Sequence, residues 1–493
     1  MEKYNEALEI YFSVDKIQTE ILGINHPSTM DSKNNIANCL SNMEKYNEAL
    51  EVYYSVDKIQ TEILGIYHPS TMNTKSKIAT CLREMGKYNE ALEIYYTVDK
   101  IQTEILGINH PAIIFTKKCI VNCLSQMGKY NEALEIYYSI DKIKTEFLVV
   151  NHPSIIFTKK CIANCLSNMG KYNEALEIYY SIDKTQVEIL GIYHPSTMNA
   201  KSKIATSLRE MGKYNESLEI YYSVDKIQTV ILGIYNPPTI YTKSKIATCL
   251  REMGKYNEAL EIYYFVDKIQ TEISGINHPS IVFTKKCIVN CLSNIGKYNE
   301  ALEIYYSIDK TQAEDIGIFH PSTMNTKSQI ATCLREMGKY NEALEIYYFV
   351  DKKQTEILGI NHPSTMDTKN NIANCLSYME KYNEALETYY SVDKIKTEIL
   401  GINHPSTMDT ENNIANCLSY MKKYNEALEI YYSVDKIQTE ILGINHPSAM
   451  DTKSNIAILL EKKEILDSHH GNEISFLLNW MLFFLEKLFL LIL

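Results

Sequence analysis

The sequence lacks the motifs that most enzymes carry. It has no glycine-rich phosphate loop, no nucleophile elbow and no pair of carboxylates that stands apart from the general pattern. Basic residues are also outnumbered: the chain has 49 Lys and Arg and 61 Asp and Glu, which gives a formal net charge of −12. Nucleic-acid binding needs a clustered basic surface, so this balance argues against it. We therefore expect no enzyme, no cofactor and no nucleic-acid partner.

No export signal is visible, because the chain opens on the polar stretch MEKYNEALEI. The twelve cysteines do not look like disulfide partners. Nine of them recur at one position of a repeat: Cys39, Cys81, Cys123, Cys165, Cys249, Cys291, Cys333, Cys375 and Cys417. Equivalent residues of stacked repeats are buried small apolar groups more often than bonded pairs. We expect reduced thiols and a cytoplasmic protein.

A metal site is not expected either. The cysteine pairs four residues apart, such as Cys119 and Cys123, have no histidine nearby in the same segment. Structural zinc needs four ligands, which these pairs do not supply. The recurring His26, His68 and His110 each precede a proline. We interpret them as turn or capping residues.

What the sequence does contain is an unbroken repeat of 42 residues. The tyrosine of the segment KYNEAL marks it at Tyr4, Tyr46, Tyr88, Tyr130, Tyr172, Tyr214, Tyr256, Tyr298, Tyr340, Tyr382 and Tyr424. A fixed period of this length is typical of an array that grows by stacking. The composition, 45% apolar and 22% charged, suits a globular protein.

Each repeat predicts two helices. In one unit, Pro69 suits the first turn of a helix A, and Ser70 and Thr71 are capping residue types. An apolar stripe follows at Met72, Ile78, Ala79 and Leu82. Gly86 and Gly107 are positioned to end helix A and the next helix, helix B. Helix B carries a stripe at Tyr88, Ala91, Leu92, Tyr95, Val98, Ile101 and Ile105. We expect about four turns in helix A and about five in helix B.

The repeat resembles the tetratricopeptide repeat. The residues that carry the resemblance are Ile78, Ala79, Leu82, Gly86, Tyr88, Ala91, Leu92 and Tyr95. The unit has 42 residues where an ordinary tetratricopeptide unit has 34, and it is similar to the repeats of kinesin light chains. Lys75 is a departure, because the motif has a large residue there. The resemblance implies an all-α fold, a right-handed superhelical solenoid of stacked antiparallel hairpins with about ten full units and partial ends.

In such arrays helix A lines a concave groove and helix B the outside. Helix A and its turn carry four basic residues and one acidic residue in the unit from Pro69, whereas helix B carries one basic and four acidic residues. The resemblance therefore implies a groove more basic than the back, suited to acidic peptides. The alternative is that the charges merely solvate two exposed faces.

Helix A occurs in three types, which supply the candidate peptide-binding residues. The Asn type resembles the paired asparagines of kinesin light chains and has Asn34, Asn35, Asn38, Asn370, Asn371, Asn374, Asn412, Asn413 and Asn416. The Arg type supplies Arg83, Arg209, Arg251 and Arg335. The Phe type places on one face Phe115, Lys118, Asn122, Phe157, Lys160, Asn164, Phe283, Lys286 and Asn290. A lysine and an asparagine four residues apart resemble carboxylate-binding pairs of some tetratricopeptide domains. Plain solvation of these residues is the alternative.

The two ends depart from the array. The first eight residues repeat letter for letter from Met43, so the chain begins inside a unit. Either the array is ragged or the chain is part of a longer product. We expect a solenoid over residues 1–465 and a degenerate segment over 466–493. Its apolar stretch 474–493 is a capping or oligomerising helix, a membrane tail anchor or an out-of-frame end.

The sequence thus predicts a non-enzymatic scaffold that binds extended, acidic segments of other proteins. One alternative is a cargo adaptor like kinesin light chain, although no heptad stretch for the motor chain is present. A second alternative is a scaffold anchored in a membrane by its tail.

Overall fold

A computed structural model describes residues 2–149, 151–275, 278–443 and 446–464. Over these ranges every regular element is an α-helix. The boundary expected at residue 465 and the apolar stretch 474–493 lie outside the described residues, as do its expected roles as cap, anchor or oligomerising helix. No helix of the described part has the length and apolar character needed to cross a membrane.

The helices alternate between the two predicted kinds. Helix A of the repeats is α2 (Pro27–Asn42), α4 (Pro69–Glu84), α6 (Pro111–Gln126), α8 (Pro153–Asn168), α10 (Pro195–Glu210), α12 (Pro237–Glu252), α14 (Pro279–Asn294), α16 (Pro321–Glu336), α18 (Pro363–Tyr378), α20 (Pro405–Tyr420) and α22 (447–464). Helix B is α1 (Glu2–Leu22), α3 (Tyr46–Ile63), α5 (Tyr88–Leu106), α7 (Tyr130–Phe147), α9 (Tyr172–Leu190), α11 (Tyr214–Leu232), α13 (Tyr256–Ser274), α15 (Tyr298–Asp315), α17 (Tyr340–Leu358), α19 (Tyr382–Leu400) and α21 (Tyr424–Leu442).

The predicted helix lengths are confirmed. α4 has 16 residues and α5 has 19, which correspond to about four and about five turns. The histidine before each proline is the N-cap, and the His68 ring Nδ1 accepts a hydrogen bond from the Ser70 backbone N–H at 3.2 Å. The interpretation of the histidines as caps is therefore confirmed. Ser70 was expected as a cap by residue type, but it supplies only the capped N–H.

The turn between the two helices requires a left-handed backbone. Gly86 has φ of 77°, and the non-glycine residues Glu44, Glu380 and Lys422 adopt 62°, 61° and 61° at the same repeat position. A Cβ built on Gly86 meets no atom within 4 Å. The cost of a side chain here is therefore conformational rather than steric, of about 1 kcal/mol.

The apolar stripes form the core, with one exception. The helix A stripe and the first six residues of the helix B stripe are buried or half-buried, and Tyr95 and Val98 are fully buried. Ile105 was expected in this stripe but is 47% exposed. It lies in the last turn of α5, which is three residues longer than α4, so this turn extends past its neighbour. The nine repeated cysteines are all buried, as predicted.

The chain divides into two compact units, one ending at Cys249 and one starting at Leu250. In unit 1, each helix from α1 to α10 packs on the next along the chain, and α4 also contacts α6. In unit 2, α16 also contacts α18, and α18 contacts α20. These neighbouring A helices therefore lie side by side.

Candidate functional site

A pocket of unit 2 lies between the neighbouring A helices α16 and α18. It has a volume of about 560 Å³. Four residues predicted from the sequence line it, namely Asn370, Asn371, Asn374 and Asn413. The remaining walls include Ser328 of α16 and the last turns of α17, which contribute Gln354, Ile357 and Leu358.

The asparagines do not all offer free amides to a ligand. The Asn370 Nδ2 donates to Thr410 Oγ1 at 3.1 Å, and Asn412 makes the same bond to Thr452 at 3.3 Å. Asn34 is buried and accepts weakly from Thr74 Oγ1 at 3.4 Å. Each Asn-type helix carries a trio of asparagines, such as Asn34, Asn35 and Asn38. The first asparagine of each trio therefore links one A helix to the next.

The last asparagine of each trio is bonded inside its own hairpin. The Tyr53 hydroxyl donates to Asn38 Oδ1 at 2.6 Å. Equivalent tyrosines of helix B donate to Asn164 at 2.7 Å, to Asn416 at 2.6 Å and to Asn374. These amides hold the hairpin together through their oxygens. Asn122 and Asn290 differ, because both are exposed.

The middle asparagines, Asn35, Asn371 and Asn413, are half-buried. The Asn371 Oδ1 accepts from Arg335 Nη1 at 3.0 Å, so this amide is held in place by the preceding A helix. Both Asn371 and Asn413 line the pocket. The middle position is thus the part of the trio that faces a ligand most directly.

Two buried acceptors at this pocket have no hydrogen-bond partner. They are Asn370 Oδ1 and Ser328 Oγ. An unsatisfied buried polar atom costs about 1–3 kcal/mol, which a bound donor would recover. Backbone N–H groups of an extended peptide are donors of this kind. The pocket can therefore accept hydrogen bonds from a peptide without reading its side chains.

The predicted arginines are not free cations. Arg83, Arg209, Arg251 and Arg335 each form an ion pair with the glutamate that follows. All four are half-buried. Their charge is therefore compensated within the helix that carries it.

The count of basic residues in helix A overstated its free positive charge. Lys75 pairs with Asp57 of the preceding helix B at 2.8 Å, and Lys87 lies 3.9 Å from Glu90. With Arg83 also paired, Lys77 is the basic residue of this helix A and its turn that lacks an ion pair among the described residues. Lys77 lies over the Tyr53 ring, 5.9 Å from its centroid, and burial lowers its pKa.

The lysines of the Phe-type A helices remain available to pair with a carboxylate. Lys118, Lys160 and Lys286 are half-buried and form no ion pair with a carboxylate of the described chain. Burial lowers the pKa of Lys160 and Lys286. The neighbouring Phe115, Phe157 and Phe283 are 61%, 55% and 63% exposed. In unit 1, the Lys118 ammonium lies 5.9 Å from the centroid of the Phe157 ring on the next A helix. The structure thus brings these two predicted residues together.

Sequence reasoning missed the contribution of helix B to the pockets. Gln354 and Lys144 occupy the same repeat position near the end of helix B, and each lines a pocket in its own unit. The sequence signal that could have revealed this contribution of helix B is the replacement of a repeated glutamine by lysine at positions 144 and 396. No group of three His, Cys, Asp or Glu side chains in the described ranges is arranged to hold a metal.

The fold defines an array of helical hairpins. The tetratricopeptide repeat signature matches residues 28–97, 70–140, 196–264, 322–392 and 364–434, which together exceed half of the chain. The chain therefore belongs to the tetratricopeptide repeat family. No curated protein matches the sequence.

Several solved structures resemble the chain. A protein of Podosopora anserina described as a kinesin light chain with nearly identical TPR-like repeats is 25% identical, covers 41% of this chain and 97% of its own, and has a TM-score of 0.38. BtubC (BKLC) from P. vanneervenii is 13% identical over 48% of this chain and 93% of its own, with a TM-score of 0.39. A tetratricopeptide repeat protein from Parabacteroides merdae is 14% identical over 62% and 98%, with a TM-score of 0.44.

Proposed function

We propose that this protein is a non-enzymatic scaffold that binds extended, acidic segments of other proteins along its A helices. The observation that carries the proposal is the pocket between α16 and α18, where Asn370 Oδ1 and Ser328 Oγ are buried acceptors without a partner. A peptide backbone supplies donors that match them. Membership of a repeat family built for protein binding supports the same reading.

The preference for acidic segments is supported by charge. Lys118, Lys160 and Lys286 lie on A helices and have no carboxylate partner among the described residues. A half-buried ammonium next to exposed phenylalanine attracts a carboxylate more strongly than a fully hydrated one does. Because eleven of the twelve cysteines are buried and none of the described ones is in a disulfide, the protein suits a reducing compartment, and we place this function in the cytoplasm.

The test is binding of the full chain to an array of extended peptides, with acidic peptides and their Asn/Gln counterparts side by side. The comparison variant is K118S/K160S/K286S. Serine occupies this repeat position at Ser76, Ser202 and Ser328, so the variant retains a residue that the hairpin tolerates. We expect the parent to capture acidic peptides and the variant to lose them, while weaker capture of neutral peptides persists.

A second variant tests the pocket of unit 2. Ser328→Met fills the space between α16 and α18 with a side chain about as long as the lysine found at position 118. We expect it to reduce capture of neutral peptides. Asn341→Met is the control, because residue 341 is exposed on α17 outside this pocket. Absence of peptide capture by the parent would overturn the proposal.

A further inference from the structure

The pocket of unit 2 has a counterpart in unit 1 with different chemistry. A cavity of about 420 Å³ lies at the same repeat position, five repeats earlier in the chain. Pro111 and Leu148 correspond to Pro321 and Leu358 of the unit 2 pocket. The residues that differ set its character, because Lys118 replaces a serine and Lys144 replaces a glutamine.

Lys144 is a buried cation that forms no ion pair among the described residues. Lys144 is only 3% exposed. Its Nζ donates to the Ser154 carbonyl at 2.9 Å and to Thr158 Oγ1 at 2.7 Å. Both acceptors are neutral, and one of the three ammonium N–H groups is left over. Burial first, and Lys118 second, lower the pKa of Lys144 against smaller opposing effects of Cys161 and Asp141. A buried charge is costly unless an opposite charge compensates it.

Packing does not require a lysine at this position. Glutamine fills it in most repeats, and Gln60, Gln102 and Gln354 each accept a hydrogen bond of 2.8 Å from the threonine of the next A helix. The lysine therefore adds a charge that the hairpin can do without.

Lys396 of unit 2 shows what a compensated lysine looks like here. It makes the equivalent bonds to Ser406 O at 3.2 Å and to Thr410 Oγ1 at 3.1 Å. Its pKa is lowered by burial, but Asp367, Asp409 and Asp393 all act to raise it again. Lys144 has a second lysine as its strongest charged neighbour instead. Asp141 offsets the charge of Lys144 only in part, whereas three aspartates act on Lys396, so the less compensated lysine is the one in the unit 1 pocket.

The walls of the unit 1 pocket are apolar. Ile114, Ile143, Phe147 and Leu148 line it, and none of the described residues that line it is acidic. A ligand that matches must present an apolar group to these walls and a negative charge to the lysines. An acidic peptide with an apolar residue beside its carboxylate has both.

We infer that this pocket binds an apolar side chain of a peptide and that Lys118 and Lys144 bind the neighbouring carboxylate. The inference rests on the proposed function and deepens it, because it gives the two units different ligand specificities. Unit 1 selects acidic segments with an apolar residue, whereas the pocket of unit 2 accepts neutral backbone.

The test is fluorescence anisotropy of labelled peptides with the full chain. One peptide carries repeated Asp-Leu pairs, a second has Asn for Asp, and a third has Ser for Leu. Lys144→Gln should weaken binding of the Asp-Leu peptide about tenfold or more, since one partner of a buried charge pair is lost. The Asn-Leu and Asp-Ser peptides should bind weakly to the parent and respond little. Lys396→Gln is the matched control and should leave Asp-Leu binding unchanged.

The converse variant transfers the site. S328K/Q354K/D367F places in unit 2 the two lysines of unit 1 and removes Asp367, which lines the unit 2 pocket at the position of Phe157. The partner threonine of the buried lysine is already present as Thr368. The number of Asp-Leu peptides bound per chain, measured by isothermal titration calorimetry, should rise by one. Parent-like binding by Lys144→Gln would overturn the inference, and so would equal binding of the Asn-Leu peptide. A parent that binds none of the peptides would contradict the proposed function itself.

Discussion

Single residues that break the repeat reveal how each position works. Lysine of helix A normally pairs with aspartate of the preceding helix B, as Lys369 does with Asp351 at 2.9 Å. At residue 411 a glutamate replaces this lysine and meets Asp393, so Asp393 forms no ion pair among the described residues and Glu411 Oε2 is buried without a partner. Burial first, and Asp393 second, raise the pKa of Glu411 to about 7.

The pair predicts that stability depends on pH. The folded chain holds the Glu411 proton up to about pH 7, whereas an ordinary glutamate releases it near 4.5. The stability that this group contributes is therefore present below pH 4.5 and is lost as the pH rises to about 7. Glu411→Lys restores the ion pair, so the difference in free energy of unfolding between E411K and the parent should grow by about 1–2 kcal/mol from pH 5 to pH 8, allowing for solvent screening.

Urea unfolding followed by circular dichroism at several pH values measures this difference. Lys396 and Asp409 also lie near the pair, and both are retained in the variant. Glu411→Gln is the control that removes the titration without adding a charge. A difference between E411K and the parent that is constant across this pH range would contradict the account.

The tyrosine–asparagine bond inside the hairpin gives a second prediction at this scale. Tyr431 donates to Asn416 Oδ1 at 2.6 Å, whereas Tyr305 has no hydroxyl partner among the described residues because the exposed Asn290 lies at the matching position. Tyr431→Phe should lower the free energy of unfolding by about 1 kcal/mol. Tyr305→Phe should change it little, and equal effects in chemical denaturation would refute the structural role of this asparagine.

At the scale of the element, the turn between helix A and helix B limits stability in three hairpins. Glu380 has φ of 61°, which glycine adopts at lower cost. Glu380→Gly should therefore raise the free energy of unfolding by about 1 kcal/mol. Gly338→Ala, at φ of 76°, should lower it by a similar amount. Thermal unfolding of the two variants checks the opposite signs, and two shifts in the same direction would disprove the argument.

The helix A caps give a further prediction at this scale. The His320 Nδ1 accepts from the Ser322 backbone N–H at 3.2 Å. His320→Ala should destabilise the chain by about 1 kcal/mol, as loss of a helix cap does elsewhere. Asparagine is itself a favoured N-cap residue, because its side-chain oxygen accepts from the same N–H groups. His320→Asn should therefore retain most of the stability, whereas equal loss in both variants would exclude side-chain capping.

The helices were predictable because proline, glycine and the apolar stripes recur in every unit, so one reading applied to all. The site was predictable only in part. Asn374 and Asn371 look alike in sequence and both line the pocket, but Tyr389 of helix B engages the first, whereas Arg335 of the preceding A helix engages the second. That distinction depends on which side chain of a neighbouring helix reaches each amide. Lys144 was missed because its effect depends on the charges around it rather than on its own type.

At the scale of the whole molecule, near-identical repeats would suggest equivalent binding positions. The structure instead places one pocket in each unit at the same repeat position with different linings. Of the nine residues that line the unit 1 pocket, six differ at the matching positions of unit 2, because the hairpin fixes the frame of the pocket and leaves the lining residues free to vary. Repetition thus provides a constant frame in which single replacements can set ligand preference.

The most direct test of peptide binding along the A helices is photo-crosslinking of the full chain to an acidic peptide carrying a photoreactive residue, followed by mass spectrometry. Our account predicts crosslinks in α6, α8, α16 and α18 and at the ends of α7 and α17, lost when unlabelled peptide competes. Crosslinks concentrated on the exposed tyrosines of helix B, such as Tyr180 and Tyr348, would contradict it.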